Sequence, residues 1–139
     1  MKYPILDGYI TSTYGLRKRK IDGILTEEFH HGIDISSKDA LPIIMSMCAM
    51  TVDVAGWSDS YGWRIWARLL EGEYKGKMIV FGHMKKLMGN ITKGVTLKQG
   101  DIIGIMGNTG MSNAPHLHLG VHDKMIKGSK SYDCKSYIV

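Results

Sequence analysis

The sequence predicts an all-β fold, a sandwich or barrel of short strands with little helix. Short β-rich runs recur along the chain, among them TVDVAG, WRIWARLL, KMIVFGHM, DIIGIMG and HLHLGVH, and the 17 glycines often separate them. Many short strands with Gly-rich turns indicate a sandwich or barrel. No stretch of about ten residues or more combines 3.6-residue apolar periodicity with a cap. The length of 139 residues, 44% hydrophobic and 22% charged, suits one globular domain over 1–139 and leaves little room for a second.

Taken in order, the opening MKYPILDGYITSTYG has one Lys but no apolar h-region and no small-residue cleavage site, so no signal peptide is expected. Arg17, Lys18, Arg19 and Lys20 form the densest basic cluster of a chain with net charge +5. Such a cluster attracts polyanions, and two partners are conceivable: nucleic acid, or a carboxylate- and phosphate-rich bacterial wall. A solvated loop with no partner fits equally well. Nucleic acid loses support because the chain shows no zinc-finger spacing, helix-turn-helix pattern or RNA-binding sheet motif.

The longest apolar run, Leu41 to Val54, is interrupted by Ser46, Thr51 and Asp53 and reads as core; no membrane span is expected. Cys48 and Cys134 are too few for a disulfide framework and lack C-x-x-C spacing, so buried free thiols are expected in preference to a bridge. ARLLEGEYKG would begin a helix only to be broken by Gly72 and Gly76, and a hairpin from Trp63 to Val80 is predicted instead.

Histidine carries the chemical signal. In FHHGIDI, strand alternation puts His30, Gly32 and Asp34 on one face and His31, Ile33 and Ile35 on the other. The isoleucines mark the second face as covered, so His30 rather than His31 is the candidate ligand. A hydrogen-bonded structural His–Asp pair would also satisfy this motif. In APHLHLGV, His116 and His118 project from one face, with Leu117 and Leu119 on the other. Two converging imidazoles make a poor core, since each needs partners when buried, and a metal or a reacting group accounts for them better. VFGHM places His83 at the end of an apolar strand, Ile79 to Phe81, where a structural role is the alternative.

These motifs, in this order, resemble the LytM/lysostaphin family of zinc metallopeptidases. The family's H-x-x-x-D is matched by His30 and Asp34, its Y-x-H by Phe81-Gly82-His83, and its H-x-H by His116-Leu117-His118. ITSTYGLR from Ile10 to Arg17, LPI from Leu41, VAGW from Val54 and GDIIGIMGNTGMSNAPHLH from Gly100 follow the family's running pattern. Departures are Phe81 for the usual Tyr, Met50 for a turn Gly, Asn113-Ala114 for Thr-Gly, and Leu119-Gly120 for Phe-Glu. None removes a motif histidine. His31 and His122 match no family role, and His31 is expected near the ligands or at the surface.

The resemblance implies an endopeptidase acting on peptidoglycan cross-link or stem peptides outside the cytoplasm, with one Zn2+ per chain held by His30, Asp34 and His118. Three protein ligands leave a fourth position open, as in catalytic zinc sites. His83 and His116 are implied as the acid–base and oxyanion groups, in unassigned order. The resemblance also implies a mainly antiparallel sheet whose β-sandwich or groove carries the site, rimmed by loops at Lys18 to Phe29, Trp57 to Trp63, Met84 to Lys98 and Asn108 to Pro115. Trp57, Tyr61 and Trp63 are candidates for its wall, with core packing as the alternative. The rival reading is a non-catalytic LytM-type domain that regulates a wall hydrolase. A lone catalytic domain without an export signal further suggests a phage lysis or virion protein.

Overall fold

The computed structural model describes every residue except Lys127, and Ile21 by its backbone alone. The described residues form twelve strands: β1 (Tyr9–Ser12), β2 (Gly15–Ile21), β3 (Ile24–His30), β4 (Ile33–Ser36), β5 (Ile43–Met45), β6 (Met50–Ser58), β7 (Gly62–Leu69), β8 (Met78–Leu87), β9 (Thr96–Leu97), β10 (Ile102–Met106), β11 (Leu117–His122) and β12 (Ser131–Tyr132). A 3-10 turn at Lys135–Tyr137 is the one helical element among the described residues. The all-β prediction holds, and so does the hairpin predicted from Trp63 to Val80, which is β7 paired with β8.

Ten strands build one antiparallel sheet in the order β1-β4-β11-β8-β7-β6-β9, with β10 joining β8 to β5 and β12 flanking β11. β2 and β3 form a separate two-stranded ribbon. The sheet buries one face on a core that includes Ile33, Ile35, Ile65, Ile79, Phe81, Leu117, Leu119 and Val121. These residues alternate along β4, β7, β8 and β11 with residues of the opposite face, where Val54, Tyr61, Trp66, Met78 and Val80 form a smaller cluster. Period-two patterning therefore assigns both faces. Cys48 and Cys134 are buried and free, as expected; burial pushes the Cys134 thiol up to about 12.

Two expectations about strands need correction. FHHGIDI is not one strand: His30 ends β3 in the ribbon and Asp34 belongs to β4 in the main sheet, with the chain breaking at His31 and Gly32. His83 does not end a strand but lies within β8. Regular alternation would send its side chain to the core with Ile79 and Phe81. The backbone at His83 is left-handed, with φ of 60°, and the pairing of β7 with β8 slips between Trp63 and Ile65. This bulge shifts the phase, so Met84 takes the core position and the imidazole turns to the other face. Left-handed backbone is uncommon outside glycine, although histidine adopts it more readily than most residues, and such positions cluster at functional sites.

Candidate metal and catalytic site

The ribbon and the main sheet meet at His30, Asp34 and His118. Asp34 and His118 are register partners across β4 and β11, and His30 reaches them from the last position of β3. His30 Nε2 lies 3.1 Å from Asp34 Oδ1, His118 Nδ1 lies 3.3 Å from the same oxygen, and the two ring nitrogens are 3.3 Å apart. Tetrahedral zinc with bonds of about 2.0–2.2 Å requires donor separations of about 3.3–3.6 Å. The triangle therefore fits that ion nearly without movement. All three residues are buried, and their ligand atoms all lie within 4.8 Å of one another.

The surroundings prepare each donor. His30 Nδ1–H donates to the Thr13 carbonyl at 3.0 Å, which leaves Nε2 as the lone pair facing the centre. Arg17 Nη1 donates to Asp34 Oδ2 at 3.3 Å and to Ser12 Oγ at 2.9 Å, while its Nε donates to Glu28 at 2.7 Å. One carboxylate oxygen is thus held by the ribbon and the other faces the histidines. Burial alone would raise the Asp34 pKa, but in the metal-free chain the His118 and His30 rings, when protonated toward it, bond the carboxylate and hold it well below the usual carboxylate range. Gly32 makes room for the third donor: a β-carbon there would sit 2.8 Å from His118 Cε1. The space expected between imidazole and carboxylate is therefore the space that His118 fills.

His116 and His83 stand beside this triangle. His116 Nε2 is 3.5 Å from Asp34 Oδ1, and the rings of His116 and His83 have centroids 4.8 Å apart. Each has its Nδ1 tied to a carbonyl: His83 donates to Thr109 at 2.7 Å and His116 to Ala114 at 2.7 Å. Both rings then present an unprotonated Nε2 when neutral. Burial lowers the His83 pKa, favouring that neutral form. The loop at 108–115 thus orients both imidazoles, and Thr109 also receives Trp63 N–H on its hydroxyl.

The structure brings together all five histidine and aspartate residues singled out in the sequence. Other participants were missed. Arg17, Ser12 and Thr13 support the triangle, whereas local sequence presents Arg17 only as one of four clustered basic residues. In fact Arg17 and Arg19 share Glu28 and Lys18 pairs with Glu27 across the ribbon, so this cluster is partly compensated. The alternation in RKRK opposite TEE was the available signal. Tyr61 does line the site, its ring 5.5 Å from that of His118 and admitted by Gly82. Trp57 and Trp63 do not share its face; they stack edge to face across β6 and β7, and alternation places Trp66 on the site's side instead. His31 bonds Ser131 at the surface.

The Peptidase family M23 model matches residues 28–132. An L-Ala–D-Glu endopeptidase of Bacillus subtilis is 30% identical over 111 residues, 75% of this chain and 32% of that protein. Lysostaphin of Staphylococcus simulans is 35% identical over 89 residues, 64% of this chain and 17% of the relative. The chain spans a third or less of the length of these curated relatives. Among solved structures, the catalytic domain of the antimicrobial peptidase lysostaphin from Staphylococcus simulans superposes with a TM-score of 0.74 at 26% identity, covering 93% of this chain and 90% of that domain. Helicobacter pylori Csd3 superposes with a TM-score of 0.74 at 28% identity, covering 99% of this chain and 34% of that one.

Proposed function

Because the chain belongs to peptidase family M23, we propose that it is a zinc-dependent endopeptidase that hydrolyses peptide bonds in the stem or cross-link peptides of bacterial peptidoglycan, acting on the wall outside the cytoplasm. The observation that carries this reading is the triangle of His30 Nε2, Asp34 Oδ1 and His118 Nδ1, with sides of 3.1 to 3.3 Å. Two imidazoles and one carboxylate form the donor set of a catalytic zinc that keeps a position open. Bound there, zinc would supply a Lewis acid for the scissile carbonyl and acidify a water to a pKa of about 7.

The chain's own residues supply the proton transfers. His83 and His116, each anchored through Nδ1–H, direct Nε2 lone pairs toward the space beside the triangle. One accepts the proton of the attacking water, and the other steadies the charge developing on the carbonyl oxygen once protonated, or delivers a proton to the leaving amine. Their anchors fix which nitrogen acts. The substrate class rests on the relatives, one of them named for cleavage of an L-Ala–D-Glu bond. The retained ligands and both flanking histidines favour catalysis over a purely regulatory domain.

Metal analysis of the pure protein, combined with turbidity of purified cell walls before and after chelation, tests the proposal. One zinc per chain is expected, with clearing lost on chelation and restored by zinc. Clearing that persists in fully metal-free protein overturns it.

A further inference from the structure

His122 is four residues beyond the proposed metal motif and has no part in the mechanism above, yet it is only 7% exposed. Neither of its ring nitrogens has a partner at full hydrogen-bond geometry, although the Ser129 backbone lies close enough to one of them to interact weakly, and His118 Nε2 is likewise buried and unpartnered. Buried polar atoms without partners are rare enough to require a reason. The two side chains share a face of β11 with Gly120 between them. A β-carbon at Gly120 would lie 3.1 Å from His122 Nε2, 3.3 Å from His118 Nε2 and 2.9 Å from the His31 carbonyl oxygen. Three polar groups therefore converge beside the one residue of this face that has no side chain.

Their chemistry is complementary. With Nδ1 directed at Asp34 and His30, His118 must carry its proton on Nε2 if Nδ1 is to bind a metal. That makes Nε2 a donor, while the His31 carbonyl and a neutral His122 Nε2 are acceptors. One water accepts one hydrogen bond and donates two here, the usual number for a buried water. We infer that His122 is a positioning residue for His118: a water seated against Gly120 accepts from His118 Nε2–H and donates to His122 Nε2 and the His31 carbonyl. Metal-bound histidines characteristically use their second nitrogen in this way, and the partner fixes the ring and its tautomer. The Trp66 ring packs edge to face with the His122 imidazole, 5.3 Å away by centroids.

The inference rests on the proposed role of His118 as a ligand, and the experiment separates the two. Imidazole 15N spectra of the zinc-loaded full chain report which nitrogens carry protons, and competition titrations with zinc give affinities for the wild type, His122→Gln and His122→Phe. Expected are a proton on His118 Nε2 with a cross-peak to water, an unprotonated His122 Nε2, and zinc affinity reduced by about 10–100-fold in His122→Phe. In His122→Gln the amide oxygen replaces the acceptor and restores most of that loss. A proton on His122 Nε2, or His122→Phe binding zinc as tightly as the wild type, overturns the inference. If His122→Phe does not fold, the wild-type spectrum decides alone. Wild-type protein that binds no zinc overturns the metal reading instead.

Discussion

The two faces of β11 are both buried and chemically opposite. All six of its residues are buried, yet Leu117, Leu119 and Val121 enter an apolar core while His118, Gly120 and His122 lie on the opposite face, with the metal-ligand candidates. On the first face burial removes hydrocarbon from water, and nothing further is needed. On the second face burial creates demands: His118 Nδ1 converges with two other donors, and its Nε2 finds no partner within the protein. Burial shows where the chain is packed; unmet polar demand shows where a ligand belongs.

Substituting neighbouring residues of β11 should break that symmetry most visibly. Leu119→Ala removes a fully buried side chain and is expected to cost about 2–5 kcal/mol, measured by denaturant unfolding. His118→Ala removes a proposed ligand and should leave a folded chain without zinc or wall-clearing activity. His30→Ala and Asp34→Ala should match it, whereas His31→Ala should retain metal because that ring bonds Ser131 at the surface. Retained zinc in His30→Ala, with loss in His31→Ala, would reverse the assignment.

The core face was legible in the sequence because period-two alternation is a local property: Ile33 and Ile35, and Leu117 and Leu119, declare their side without knowledge of their neighbours. His118 and Asp34 were legible for the same reason, each standing between two such residues. His83 was legible as a candidate but not in its geometry, since alternation points it to the core and only the bulge in β8 turns it around. FHHGIDI pointed to a pair that the structure does bring together, but through a strand that is in fact broken, since His30 and Asp34 meet across the break at His31 and Gly32 rather than along one face. The pairing of Arg17 with Glu28 was readable from RKRK opposite TEE, but its bond to Asp34, 17 residues away and in the main sheet, lay beyond reach of local pattern.

The ribbon offers the same contrast on a smaller scale. Arg17 points inward, bonded to Glu28, Ser12 and Asp34. Its neighbour Lys18 points outward to a Glu27 carboxylate 3.9 Å away, both side chains well exposed. Arg17→Ala should lower zinc affinity by about tenfold or more, as expected for loss of a group that orients a ligand. Arg17→Lys should recover only part of this, because an ammonium cannot span the three acceptors as a planar guanidinium does. Lys18→Ala should leave zinc affinity unchanged and shift stability by no more than about 0.5 kcal/mol. Equal effects at both positions in a zinc titration would mean that the ribbon acts through its overall charge rather than through Arg17.

The last expectation concerns pH and sharpens the contrast between the faces without altering the core. Burial lowers the pKa of His83, His118 and His122, whereas in the unfolded chain each titrates near about 6.5. Well above that value neither state binds these protons, so stability is unaffected. As pH falls through about 6.5 the unfolded chain takes up protons that the folded zinc-free chain resists, and stability must decline until the folded-state pKa values are reached. Asp34, whose carboxyl is held low, is ionised in both states from pH 7 to about 5.5 and contributes no slope there. Denaturant unfolding of the zinc-free chain across this range should therefore show stability decreasing toward acid. Removing one of the three imidazoles in His122→Phe should make the decrease shallower, while Leu119→Ala should lower the curve without changing its slope. A His122→Phe curve parallel to the wild type would mean that this imidazole is not held neutral by its burial.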